Sequence, residues 1–262
     1  VYELGSHLDY NAMINHMVYS GTGREEVEVT FPEGYNCAQI FALLEENGVC
    51  SAADFMKEVN DTEKLQGIYK FINEIDTENK AFYLEGYIFP DTYEFYKNES
   101  AEAALSRFLK NTDTKLKDEY YRRAEELGFT LDEIITLASI VQSESGYPDE
   151  NAKVSSVLHN RIKSPSYGRL QCDVTINYIN DFVSDSPYLE GDTERFKELY
   201  NTYRCDGLPA GAVCNPGEEC IVAALYPEET NYYFFVTDKD WNYYYNETYE
   251  EHIVKCKELG LM

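Results

Sequence analysis

Polar and apolar residues alternate along Glu25-Glu26-Val27-Glu28-Val29-Thr30-Phe31, and the alternation stops at Pro32-Glu33-Gly34, so the segment reads as a half-buried strand closed by a turn. Upstream, Met13, Ile14, Met17 and Val18 have the spacing of a short helix ahead of Gly21 and Gly23. After the turn the period changes. Ile40, Phe41, Leu43 and Leu44 predict a helix over 37–47 that stops at Gly48, and Phe55, Met56 and Val59 predict another over 51–59 with Ser51 as its N-cap. Residues 60–80 are polar with few periodic signals and read as a linker or a loop insertion, while the aromatic run 84–95, broken by Gly86 and Pro90, fits a strand with turns near a groove.

Helical spacing returns at 101–117 and continues, with a break, to Gly128. Thr130 and Glu133 have the spacing of a capping box, and Ile134, Leu137, Ala138, Ile140 and Val141 follow at helical intervals. A further helix is expected from Asn151, as N-cap, to Ile162. The stretch 168–178 and the acidic loop 181–195 lack strong periodicity, and 201–217 is dense in turn formers, as loops that carry sites often are. A short helix at 220–225, an aromatic strand at 232–236 with a hairpin partner at 241–245, and a closing helix at 248–260 complete an α+β pattern.

If the 130s helix reaches Ser145, Glu144 falls on the same face as Leu137, Ile140 and Val141, which puts a carboxyl on the buried stripe; Gln142 and Ser143 point elsewhere. Burial and the negative end of the helix dipole both push such an acid's pKa upward, the tuning a general acid needs near neutral pH. A helix ending one turn earlier would leave Glu144 solvated. Asp173, between Gln171 and Thr175, is the second carboxylate of interest, with an exposed turn aspartate as the plainer alternative. Tyr87, Tyr93, Tyr178 and Tyr203 offer flat faces and hydroxyls that suit a sugar groove, although a core uses tyrosines as well.

Composition narrows the options. Lys plus Arg 22 against Asp plus Glu 48 gives 22 − 48 = −26, which argues against nucleic acid as partner, and no stretch is apolar enough to span a bilayer. The 7 cysteines include no CxxC pair and the 4 histidines are scattered, so no metal site is expected. Nucleotide-binding, serine-hydrolase and calcium-loop signatures are missing. The chain opens at Val1 without a signal peptide and reads as a trimmed fragment whose anchor or targeting segment would lie upstream.

The segments Phe31-Pro32-Glu33-Gly34, 84–93, 137–145, 170–173, 200–203, 207–211, 215–217 and 233–236 together resemble, in order and over nearly the whole chain, the YceG-like family of endolytic murein transglycosylases. The resemblance implies a LysM-like strand-helix-helix subdomain at 25–75 and a mixed α+β catalytic domain with an extended cleft at 81–262, residues 1–24 lying against it. It further implies a single-pass anchor in the bacterial cytoplasmic membrane, a catalytic region outside it, and action near cell-wall synthases and the elongation or division machinery. The substrate would be peptidoglycan glycan strands, cut between N-acetylmuramic acid and N-acetylglucosamine to leave 1,6-anhydromuramyl ends, with no cofactor. The family usually has a glutamate where this chain has Gln142, so the catalytic role transfers to Glu144; Asp173, Asn201, Tyr203, Gln171, Tyr178 and His252 fall to substrate binding. A muramidase-type hydrolase using Glu144 with Asp173, and a wall-binding protein without catalysis, are the competing readings. An aminodeoxychorismate lyase, a name sometimes given to this family, would need a lysine for pyridoxal phosphate, and no site-like loop offers one.

Overall fold

The computed structural model describes Ile14 and residues 25–189 and 193–262. The helix expected around Met13 to Val18 lies outside these residues except for Ile14, which is helical. The alternating segment forms β1 (Glu26–Thr30), followed by α1 (Cys37–Glu46), α2 (Ala52–Asn60) and α3 (Thr62–Leu65). Asn36 closes a capping box with Gln39 on α1, and the Ser51 hydroxyl accepts the Asp54 N–H on α2, as its cap position requires. β1 pairs antiparallel with β2 (Thr92–Tyr96), placing Val29 opposite Tyr93 and Val27 opposite Phe95. Phe31, Tyr93, Phe95 and Phe108 then meet in a cluster of rings, with the Tyr93 and Phe108 centroids 4.4 Å apart.

The second part of the chain is mostly helical: α4 (Ala101–Lys115), α5 (Asp118–Leu127), α6 (Leu131–Glu144), α7 (Asn151–Lys163), α8 (Asp173–Tyr178), α9 (Glu194–Leu199) and α10 (Glu218–Leu225). A hairpin of β3 (Phe234–Thr237) and β4 (Tyr243–Asn246) and the closing α11 (Tyr249–Glu258) complete it. α6 is the central element. Ile134 through Val141 are all buried, and the helix packs against α5, α7, α8 and α10. The fold is mixed α+β, and none of the described helices is long and apolar enough to cross a membrane.

Several local expectations are corrected. The stretch 60–80 is not a solvated linker: α3 and a 3-10 turn over Phe71–Glu74 dip Leu65, Phe71, Ile72 and Ile75 into the core, where Phe71 stacks on Tyr87. Within the aromatic run only 92–95 is strand, as part of β2. Leu84, Tyr87 and Ile88 are buried in irregular chain because Gly86 takes a φ of +93°, with Ile135 and Ala212 only 2.6 and 2.8 Å from where a Cβ would stand. Asn151 is the first residue of α7 rather than its cap, and no side chain caps that helix. Residues 173–178, which lack a clear period, form a helix.

The strand-helix-helix order is present, but the division expected between 75 and 81 falls between β1 and its partner β2, and a single apolar core runs from Val29 to Leu225 across it. Asn215 is the polar junction. Its backbone pairs reciprocally with the 34–35 turn, Gly34 N–H to Asn215 O at 3.0 Å and Asn215 N–H to Tyr35 O at 2.9 Å. Its fully buried side chain accepts from Ile88 N–H and donates to Tyr35 O and to Glu85. Glu85, equally buried, also accepts from Cys37 N–H at the start of α1 and from the Tyr178 hydroxyl at 2.9 Å.

Candidate active site

Glu144 is the last residue of α6, held there by the Ser145 N–H donating to Val141 O at 2.8 Å. Its side chain is half-buried, on the stripe its spacing predicts. Burial, followed by the charge of Asp173, raises its pKa to about 7, against the pull of a hydrogen bond from the Cys172 thiol. A carboxyl so placed is divided between its two protonation states near neutrality, as a residue that both gives and takes a proton must be.

Asp173 reaches this position through two loops that run side by side. Arg169 bridges Gly207, Gln171 N–H donates to Thr202 O at 3.0 Å, and Cys172 N–H donates to the buried Thr202 hydroxyl at 2.9 Å. Asp173 therefore opens α8 with its carboxylate exposed, and the Tyr203 hydroxyl donates to it across 2.7 Å. Asn201 accepts the Tyr203 N–H at 3.0 Å, a local turn contact that orients the tyrosine. Gln171 is exposed at a φ of +56°, its side chain accepting from Arg161. The buried Arg161 also donates to Arg169 O and Tyr233 O and lies over the Phe234 ring, so among the described residues its partners are neutral acceptors and a π face.

The structure thus groups Glu144, Asp173, Tyr203, Asn201 and Gln171. Tyr178 is a correction: it is enclosed in the core with its hydroxyl on Glu85, and so presents nothing to a ligand. Tyr87 and Tyr93 are buried as well, bonded to Asp132 and to Phe89 O. His252 stacks on Phe234 at 5.2 Å beside Cys256, and burial, with the Arg161 charge adding to it, lowers its pKa. Gln142 accepts the Gly217 N–H at 2.9 Å, a backbone role at the start of α10. Among the described residues no cluster of His, Cys, Asp or Glu is arranged to ligate a metal, and all seven cysteines are free thiols.

Two groups stand out only in the fold. Cys172 touches the Glu144 carboxyl, and Tyr243 of β4 bridges the end of α6, accepting the Gly146 N–H at 2.7 Å and donating to Glu144 O at 2.9 Å. The aromatic spacing of the hairpin predicts the strand but not its reach to α6, since contacts across 97 positions leave no local trace.

A helix-end acid with a raised pKa beside an exposed carboxylate, on an α+β scaffold, is an arrangement able to give and take a proton. The chain belongs to the YceG-like family, whose sequence profile matches residues 1–258. It is 28% identical over 263 residues to the endolytic murein transglycosylase of Bacillus subtilis strain 168, covering 98% of this chain and 71% of that protein. With the endolytic murein transglycosylase of Streptococcus pneumoniae serotype 2 it shares 24% identity over 96% of its own length and 48% of the relative's. A crystal structure of a protein described as YceG-like, from Listeria monocytogenes, superposes with a TM-score of 0.72 at 27% identity over 97% of this chain and 83% of that one.

Proposed function

We propose that this chain is a lytic transglycosylase acting on peptidoglycan glycan strands, with Glu144 as general acid and then base. The relatives named endolytic murein transglycosylases support the class, and the observation that carries the residue is the half-buried Glu144 carboxyl whose pKa stands at about 7 beside Asp173. The acid protonates the glycosidic oxygen between N-acetylmuramic acid and N-acetylglucosamine, and that bond breaks with the leaving sugar as a neutral alcohol. The resulting carboxylate removes the proton from the muramyl C6 hydroxyl, whose oxygen bonds to C1 and closes the 1,6-anhydro ring. Glu144 ends the cycle as it began, and no water is consumed. Asp173, Tyr203, Asn201 and Gln171 hold the sugar and stabilise the cationic transition state.

The closeness of Asp173 to Glu144 favours one second reading, a hydrolase in which Asp173 attacks or stabilises C1. Digestion of purified glycan strands followed by mass spectrometry separates the two, since anhydromuramyl ends are one water lighter than reducing ends. Glu144→Gln is expected to abolish release of either product with its thermal unfolding little changed; near-normal turnover by this variant would overturn the assignment. The LysM-like character of the N-terminal unit, a membrane anchor with the catalytic region outside the membrane, and association with cell-wall synthases belong to the same proposal.

A further inference from the structure

The sequence contains 1 tryptophan, and the fold sets it, 59% exposed, beside the end of the helix that carries Glu144. Trp241 occupies a left-handed backbone position, φ +62°, which an aromatic residue adopts only when its surroundings enforce it. The enforcing group is Asp238. Its carboxylate accepts from Asp240 N–H, Asn242 N–H, the Asn242 side-chain amide and the Tyr244 hydroxyl, while Trp241 N–H donates to Asp238 O at 3.1 Å. The indole is therefore presented by a braced turn.

One edge of the ring rests on Gly146, where a Cβ would lie 3.3 Å from Trp241 Cε3 and 3.5 Å from the Tyr243 hydroxyl. Tyr147, 51% exposed, and Pro148 form the other wall of the same surface notch, with Asp149 and Glu150 at its margin. Tyr243 joins notch and catalytic residue directly, through its bonds to Gly146 N–H and Glu144 O, and the Glu144 charge is among the causes that raise its pKa.

We propose that Trp241, Tyr147 and Tyr243 form a sugar-stacking subsite that receives a neutral N-acetylhexosamine ring of the glycan strand next to the bond cut at Glu144. This deepens the proposed function and rests on it. The chemistry selects the occupant. Indole and phenol faces take the apolar C–H face of a pyranose, phenol hydroxyls and carboxylates take its hydroxyls, and the acidic margin disfavours a residue bearing an anionic stem. In a strand of alternating units, the unit without the lactyl group is the one that fits.

The test uses Glu144→Gln, which binds without turnover, titrated with soluble glycan strands stripped of peptide. With one tryptophan in the chain, emission excited at the red edge, where indole absorbs and the 24 tyrosines do not, reports on position 241 alone. A saturable emission change is expected, with calorimetry giving the same affinity. Adding Trp241→Ala should weaken binding about tenfold or more, and Trp241→Phe should restore most of it. Calorimetric binding with unchanged emission, and with equal affinity in the alanine variant, would overturn the subsite while leaving the transglycosylase reading intact. Absence of binding by both measurements, with no anhydromuramyl release by the unmodified protein, would overturn both. Melting of the Trp241→Ala protein at the parent temperature confirms that the loss is not one of folding.

Discussion

Tyr203 donates its phenolic proton to Asp173 across 2.7 Å, fastening the 201–207 loop to the first turn of α8 and holding a negative charge beside Glu144. That charge is the second cause, after burial, of the raised Glu144 pKa. In the proposed mechanism the acid must be protonated to act, so activity is expected to fall as pH rises through its pKa. Asp173→Asn should lower that pKa and move the alkaline limb of the kcat/KM profile to lower pH, whereas Tyr203→Phe, which keeps the charge, should leave the limb nearly in place. Profiles of product release against pH check both, and an unmoved limb in the asparagine variant would separate Asp173 from the tuning.

Glu85 is fully buried and its pKa is raised to about 7, chiefly by desolvation and against several donors that favour the charged form. The folded state therefore binds this proton more tightly than the unfolded chain does. The stabilisation is complete below the ordinary carboxyl range and is lost as pH rises through about 7. A displacement of this size corresponds to roughly 3 kcal/mol. Glu85→Gln should flatten the dependence of thermal unfolding on pH between about 5 and 8 relative to the parent, whatever its absolute stability.

Gly86→Ala meets two obstacles together: a φ of +93°, and side chains of Ile135 and Ala212 closer than a real Cβ tolerates. Neither is the free end of a flexible surface chain, so the loop or α6 must move. A loss of at least about 2 kcal/mol in urea unfolding is expected. A variant as stable as the parent would contradict the placement of the 84–88 loop.

Tyr243→Phe removes both bonds of the bridge at the end of α6, from Gly146 N–H and to Glu144 O. The stability cost is expected to be about 1–2 kcal/mol. The orientation of the acid should suffer more, with kcat falling about tenfold, since small displacements of a catalytic group are costly. Steady-state kinetics alongside thermal melts distinguish this from simple unfolding.

Sequence pattern reveals what is local. The capping box of Thr130 and Glu133, the Ser51 cap and the stop at Gly128 are formed by residues within a turn of one another, and the helices begin and end there. The half-burial of Glu144 follows from the same helical spacing. Its dependence on Asp173 does not, because it arises from two aperiodic loops joined through Arg169 and Gly207. Aromatic residues carry the least positional information: Tyr87, Tyr93 and Tyr178 are enclosed, while Tyr203, Tyr147 and Trp241 face solvent, and composition treats them alike. The junction at Glu85 and Asn215 joins positions 130 apart and has no short-range signature.

Asn215 engages the turn after β1 from both sides of its peptide unit and the 85–88 loop through its amide. Opening between the 34–37 segment and the helices behind it would have to break its bonds to Asn215 and the Cys37 N–H bond to Glu85 together, while Glu85 would keep the Tyr178 hydroxyl and the Asn215 amide. Separating the two parts would therefore cost several hydrogen bonds at once, which couples the position of the turn after β1 to the loop that leads into α10.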